Sequence, residues 1–234
     1  MKTRIVFIVF CCVTCAVNAQ ATWDYPVKPG STEWASFRTG QQRLEVCQIP
    51  QEVLEALSTK DLAEICLNYP LFIDYAVSNN ERKAISAMIE RFNGLKELSK
   101  RTDGAQELIS IYENYPVLTQ VQLEPSKEYD ILFKLPFLEL LLSDEVFIQQ
   151  LDSRKANELE KMVLSTYERK LEHKDVYSLW NIKKTFLLGA VAIAQQGLSA
   201  RSSEEQEIVK RYIENYRNAD ANLLTEISKI ISNL

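Results

Sequence analysis

Histidine is almost absent from this sequence, since His173 is the single example among 234 residues. Hydrolytic triads and Cys-His pairs need a histidine base beside the nucleophile. His173 lies in the polar stretch 170–175 between two predicted helices, which favours a solvated residue at a helix end. The sequence also lacks a Gly-x-Ser-x-Gly turn, a Gly-x-x-x-x-Gly-Lys phosphate loop, a His-Glu-x-x-His motif and EF-hand spacing. We therefore predict no catalytic site, no metal site and no bound cofactor.

Glycine and proline are scarce, with 6 and 7 residues respectively. A loop-rich β-sandwich uses both at its many turns, and no pair of alternating strands joined by a hairpin turn is visible. Hydrophobic residues make up 46% of the chain and charged residues 25%. These proportions are typical of a globular protein with a buried core and exclude a disordered or collagenous chain.

A concentrated block of lysine and arginine is also missing. The formal net charge is -5, and Lys183–Lys184 is only a pair. Nucleic-acid binding needs a basic face, so we expect no nucleic-acid partner.

Residues 1–19 have the three parts of a secretory signal peptide: two basic residues, a short apolar run, and small side chains before the expected cleavage between Ala19 and Gln20. The apolar run is shorter than the roughly 20 residues of a membrane span. No later apolar segment reaches that length without charges. The sequence therefore predicts an exported chain, periplasmic or extracellular, with no membrane span after cleavage.

Two cysteines, Cys47 and Cys66, remain after cleavage of the signal peptide. In an oxidising compartment they could close a loop of about 20 residues, with a stabilisation on the order of 3 kcal/mol. We predict this disulfide, and the alternative is two buried free thiols.

Residues 20–30 contain prolines and two aromatic residues, Trp23 and Tyr25, which predict an extended N-terminal arm. The preferred interpretation is that both rings fill grooves on the domain surface. The alternative is a mobile tether that presents them to a partner. Together with Trp34, these two residues are the candidate partner contacts.

Residues 31–234 predict one α-helical domain, a compact bundle of roughly ten to twelve helices that begins at the N-cap Ser31. Segment 152–172 predicts an amphipathic helix whose charged residues, Glu160 and Lys170 included, face solvent. Segment 175–196 is apolar nearly all round and contains small residues, which predicts a central helix. Its small residues could instead receive a partner helix or lipid.

Two further helix boundaries are predicted. Pro136 should divide one apolar region into helices near 127–134 and 136–142. Ser203 and Gln206 should form the capping box of a helix over 204–217.

One short motif occurs twice at an offset of 46 residues. That period suits a HEAT-like pair of helices, in which each copy ends one helix and lets the proline begin the next. With two copies visible, a duplicated corner within a bundle is an equal alternative. The repeated residues are Asn68, Tyr69, Pro70 and Asn114, Tyr115, Pro116.

The first half of the chain also carries a spaced pattern of residues, namely Trp34, Cys47-Gln48-Ile49-Pro50, Leu57-Ser58-Thr59, Cys66, Tyr69-Pro70-Leu71, Asp74, Asn79-Asn80 and Phe92-Asn93-Gly94-Leu95. In this pattern the chain resembles uncharacterised exported all-helical proteins of Bacteroidetes-type bacteria. The resemblance implies an exported helical protein. It carries no established activity and assigns no catalytic or binding residue.

Three functions remain as hypotheses. The first is a non-catalytic protein-binding or scaffolding module with an unknown protein partner, because helical repeats commonly bind partners. The second is a carrier or sensor in which helices 136–142 and 175–196 line a pocket for a small apolar ligand. The third is a hydrolase with two facing carboxylates. The acids available for that third function include Glu52, Glu64, Asp74, Glu139, Asp144 and Glu145.

Overall fold

The structure is a computed structural model that describes residues 23–116 and 125–233. Within these ranges the chain forms thirteen α-helices and three short 3₁₀ helices, and no β-strand. This confirms the predicted all-α class. The predicted signal peptide, residues 1–19, lies outside the described residues. The α-helices are α1 (Thr32–Ser36), α2 (Gly40–Val46), α3 (Gln51–Ala56), α4 (Thr59–Leu67), α5 (Glu81–Arg91), α6 (Asn93–Leu98), α7 (Gly104–Glu113), α8 (Pro125–Leu142), α9 (Glu145–Ile148), α10 (Ser153–Glu172), α11 (Leu179–Gln196), α12 (Ser203–Asn215) and α13 (Ala221–Ser232). The 3₁₀ helices span Phe72–Tyr75, Leu198–Ala200 and Tyr216–Asn218.

Polar side chains determine where the helices begin. Ser31 is the N-cap of α1, as predicted. The capping box of α12 is formed by Ser202 and Glu205, one residue before the predicted Ser203 and Gln206. Ser202 has the extended backbone that a cap requires, with ψ at 155°. The predicted box was therefore wrong by one residue.

Helix α11 occupies the centre of the bundle, as its apolar sequence predicts. It packs against α8, α10, α12 and α13. It ends at Gly197, whose φ of 119° favours glycine. A Cβ added at Gly189 would lie 3.0 Å from Ile231 of α13 and 3.0 Å from Val163 of α10. The small residues of α11 therefore admit helices of this same chain, and not a partner helix or lipid.

The first half of the chain packs on the other side of α8. Helix α4 contacts α6 and α7, and α5 contacts α6. Helix α8 contacts α4, α5 and α7 as well as α11, so it joins the two halves. The main hydrophobic core runs from Tyr25 in the arm to Ile231 in α13.

Helix α8 is continuous through Pro136, so the predicted division into helices near 127–134 and 136–142 was wrong. Proline has no N–H group, and therefore cannot donate to the carbonyl of Leu132 four residues earlier. A helix continues through proline when other groups satisfy the backbone that proline leaves open.

Two distant side chains donate to carbonyls beside Pro136, and one of these is the carbonyl of Leu132. Asn181 Nδ2 donates to the carbonyl of Leu132 at 3.1 Å. The hydroxyl of Tyr75 donates to the carbonyl of Phe133, the next residue, at 2.7 Å. Because both donors come from elements far away in the sequence, a local proline rule does not foresee them.

We expect Tyr75→Phe to lower the free energy of unfolding by about 1 kcal/mol, because it removes a donor to the helix backbone beside Pro136. Urea denaturation measures the change. Tyr167→Phe is the matched control, since the Tyr167 hydroxyl makes no hydrogen bond among the described residues, and it should stay within about 0.5 kcal/mol of the parent. Equal losses in the two variants would contradict this role of Tyr75.

Candidate functional site

Each Asn-Tyr-Pro corner ends a helix in the same way. Asn68 and Asn114 are the C-caps of α4 and α7, with φ of −95° and −96°. In both, the side-chain amide donates to the carbonyl four residues earlier at 2.9 Å. Beyond the corner the copies differ, because Tyr69 is buried while Tyr115 is partly exposed. The structure thus shows a shared helix end, and the HEAT-like repeat stays a prediction.

The aromatic arm lies against the first corner. Tyr25 is 4% exposed, and its hydroxyl donates to the carbonyl of Ile65 in α4 at 3.0 Å. Its ring centroid lies 6.3 Å from those of Tyr69 and Phe92, which stack on each other at 4.1 Å. Trp23 packs edge-on against Tyr25 at 4.5 Å and is only partly buried. Tyr25 therefore anchors the arm and is unavailable to a partner, while Trp23 stays accessible.

Cys47 and Cys66 do not form the predicted disulfide. Both are buried free thiols in the same core cluster as Tyr25. Burial raises the pKa of the Cys47 thiol to about 12, and it raises the pKa of the Cys66 thiol well above its ordinary value. The sequence spacing sets the length of the loop that a bridge would close, but it does not orient the side chains toward each other. The alternative interpretation, two buried thiols, is the one observed.

Trp34, the third candidate contact, lies on α1, which has no buried residue. Its ring packs edge-on against Phe37 at 6.2 Å, and the guanidinium carbon of Arg43 lies 5.8 Å from it. It does not line the groove beside Trp23 that is described below. The three predicted contacts therefore do not form one surface.

Four residues of the pattern, Gln48, Ile49, Phe92 and Gly94, lie around a fifth, Asn93. Its Oδ1 accepts from the N–H of Ile49 at 2.9 Å, and its Nδ2 donates to the carbonyl of Ile49 at 2.7 Å. The N–H of Asn93 donates to Oε1 of Gln48 at 3.0 Å. A Cβ at Gly94 would lie 2.5 Å from the ring of Phe92. This part of the pattern therefore forms a cluster of hydrogen bonds and close packing.

A groove of about 370 Å³ opens beside Trp23, and we name it the Trp23 groove. Two lysines stand in its wall. Lys28 forms an ion pair with Asp24 at 2.5 Å, and Lys134 of α8 donates to Oδ1 of Asn68 at 2.9 Å. The groove therefore combines aromatic, apolar and cationic groups. Its lining residues are Trp23, Asp24, Tyr25, Lys28, Pro29, Ile65, Asn68, Tyr69, Pro70, Phe72 and Lys134.

A buried ion pair crosses the core between α8 and α10. Lys170, predicted on the solvated face of α10, is completely buried, and its Nζ lies 2.9 Å from Oε1 of Glu139. Nζ also donates to Oγ1 of Thr185 at 2.8 Å, and the Tyr112 hydroxyl donates to Glu139 at 3.3 Å. Burial lowers the pKa of Lys170, and the carboxylate of Glu139 opposes that shift. The predicted solvated positions of Lys170 and of Glu160, which is 3% exposed, were therefore wrong.

A second buried pair joins α5 to α11. Nζ of Lys184 lies 2.8 Å from Oε1 of Glu81, and both side chains are 1% exposed. Nζ also lies 3.4 Å from the ring centroid of Trp180. The Tyr216 hydroxyl donates to Oε2 of Glu81 at 2.7 Å. Burial lowers the pKa of Lys184 to about 8. In the sequence, Lys184 is recognisable only as half of a lysine pair, so this network was not predicted.

The carboxylates considered for hydrolysis are dispersed. Glu139 is held by Lys170, and Asp144 caps α9 and accepts from the Ser86 hydroxyl at 2.7 Å. Five clefts of about 320 to 450 Å³ open on the described surface, and none is lined by two of the six acids. The other four acids are exposed on separate elements: Glu52, Glu64, Asp74 and Glu145.

The apolar helices proposed to line a ligand pocket are packed against protein. Leu138, Leu141, Leu187 and Leu188 are fully buried. Neither residues 136–142 nor any residue of α11 lines one of the five clefts. These clefts give the carrier hypothesis no support.

His173 is the C-cap of α10 and is partly exposed. Among the described residues, no group of three or more His, Cys, Asp and Glu side chains could hold a metal ion. Over the same part of the chain, no helix has the length and apolar character needed to cross a membrane.

Comparison with protein-family models, curated proteins and solved structures found no match.

The lowered pKa of Lys184 predicts how stability changes with pH. Below pH 8 the lysine is protonated in both the folded and the unfolded chain. Between pH 8 and its ordinary pKa of 10.5, the unfolded chain binds more protons, so the free energy of unfolding rises with pH. We expect this rise, relative to the double variant Glu81→Gln/Lys184→Met, in urea denaturation between about pH 8 and pH 10.

The double variant is the appropriate comparison because it removes both charges of the pair and leaves no unpaired buried ion. Burial raises the pKa values of the tyrosines and thiols in both proteins, and this effect cancels in the difference; the part that Glu81 adds at Tyr216 is lost in the double variant, where burial still raises the pKa of Tyr216. Parallel pH profiles would contradict the lowered pKa of Lys184.

Proposed function

We propose that the chain is an exported, non-catalytic protein-binding module whose contact surface is the Trp23 groove. One observation carries the proposal: Trp23 is held at the edge of the groove by the buried ring of Tyr25 and keeps part of its own ring exposed. Tryptophan fixed in place beside a concave surface is typical of residues that dominate binding energy at interfaces. A rigid anchor loses little side-chain entropy on binding.

The chemistry of the groove favours an extended peptide segment with an acidic residue as the occupant. Pro29, Pro70 and Trp23 offer apolar contact for a side chain. Lys28 and Lys134 both stand in the wall, where Lys28 pairs with Asp24 and Lys134 donates to Asn68. An ammonium group carries several N–H donors, so a carboxylate on the partner can accept from the same two lysines.

The test is selection of linear peptides from a random library on the immobilised chain from Gln20 to Leu234, followed by fluorescence anisotropy on the selected peptides. We expect enrichment of acidic sequences with an apolar residue. Trp23→Ala should weaken their binding about tenfold or more. Binding should also weaken as salt is added, because part of it is electrostatic.

Trp34→Ala is the matched control, since it removes a second partly buried tryptophan outside the groove. It should bind the selected peptides as the parent does, and circular dichroism checks that both variants fold. The proposal fails if no peptide is enriched, or if the selected peptides bind the Trp23 variant as tightly as they bind the control.

Export belongs to the same proposal and rests on the sequence of residues 1–19. Expression of the full chain in a bacterium with a functional secretion system should release a protein whose N-terminal sequence begins at Gln20. Replacing the apolar run by polar residues should leave the full chain inside the cell. Recovery of unprocessed chain beginning at Met1 from the exported fraction would contradict the cleavage site.

A further inference from the structure

A second cleft, of about 400 Å³, opens between the start of α5 and the end of α12. We name it the cationic cleft. Residues 79–83 with Ser86 form one wall, and residues 214–218 form the other. It shares no lining residue with the Trp23 groove, so it is a separate surface.

Three cations line this cleft: Arg82, Lys83 and Arg217. Within the described part of the chain, none of the three forms an ion pair. By contrast, Arg154 and Arg211 are both paired with carboxylates. The cationic cleft therefore keeps positive charge uncompensated in a chain that is acidic as a whole.

Both guanidinium groups are held in place from the opposite wall. Nη1 of Arg82 donates to the carbonyl of Ile213 in α12 at 3.2 Å. Nη1 of Arg217 donates to the carbonyl of Ser78, just before α5, at 2.9 Å. The remaining N–H groups of the two guanidiniums make no hydrogen bond to described residues. Each arginine is thus positioned by one nitrogen and keeps donors for a ligand.

The negative groups of the cleft do not cancel this charge. The carboxylate of Glu81 lies at the floor and is neutralised by Lys184 behind it and by the hydroxyl of Tyr216. Glu214 is the remaining acid in the lining, and it stands on the solvent-exposed end of α12. Because Glu81 is neutralised by Lys184, the lining keeps three cations and one further carboxylate, that of Glu214.

We propose that the cationic cleft binds the phosphate group of a small molecule. Arginine N–H groups match phosphate oxygens in geometry, and a nearby lysine adds a point charge. Because the arginines are already fixed across the cleft, binding costs little further ordering. The volume exceeds that of a phosphate ion, and the side chains of Asn79 and Asn218 in the lining offer amides to the hydroxyls of an attached organic group.

Isothermal titration calorimetry at low ionic strength tests the proposal with two probes, inorganic phosphate and glucose 6-phosphate. We expect one molecule to bind per chain. Tighter binding of glucose 6-phosphate identifies a phosphate monoester as the ligand class, and tighter binding of inorganic phosphate identifies the free ion. Glucose alone should not bind, because it lacks the charged group.

Arg217→Gln and Lys83→Gln should each weaken binding about tenfold or more. Lys83→Gln breaks no side-chain hydrogen bond or ion pair among the described residues, so it keeps the test valid if the arginine variant is unstable. Lys174→Gln is the matched control, because it makes the same change of charge at an exposed lysine outside the cleft. The proposal is overturned if neither probe binds, or if the cleft variants and the control bind equally well.

Discussion

The bundle depends on the need to neutralise ammonium groups inside an apolar core. Lys170 is fully buried, and a buried charge that loses its partner costs on the order of 3–5 kcal/mol. Its Nζ donates to the carboxylate of Glu139 in α8 and to the hydroxyl of Thr185 in α11. Three helices are therefore fixed relative to one another by one polar contact set. The pair of Glu81 and Lys184 does the same for α5 and α11, and it also closes the floor of the cationic cleft.

Much of this fold can be predicted from the local spacing of apolar residues along the helices. The central position of α11 follows from its apolar sequence, and the end at Gly197 follows from the need for a positive φ. The sequence even contains a signal for the buried lysine that the charge pattern concealed. Positions 156, 159, 163, 166 and 170 of α10 are spaced by three and four residues and are all buried, so Lys170 continues the core stripe. Lys170 was predicted on the charged face because of its residue type alone, although its position continues the core stripe.

Contacts between distant segments account for what the sequence did not predict. Helix α8 continues through Pro136, and beside the proline Asn181 and Tyr75 supply donors from other elements. Cys47 and Cys66 are both buried free thiols, and their spacing in the sequence does not decide between a bridge and free thiols. Both candidate sites likewise depend on contacts between distant segments. Trp23 was identified from composition, but its groove needs α4 and α8, and the cationic cleft needs two segments more than 120 residues apart along the chain.

Asn93 does for Ile49 what a neighbouring strand does in a β-sheet, since it accepts from the backbone N–H and donates to the carbonyl of the same residue. The described residues form no strand, yet the side-chain amide of Asn93 makes the two hydrogen bonds that a residue on a neighbouring strand would make. The side-chain amide carries both the acceptor and the donor that this arrangement uses. An aspartate at this position would present a second acceptor to the carbonyl of Ile49, so hydrolysis of this single amide in an ageing molecule would loosen the link between the backbone at Ile49 and α6.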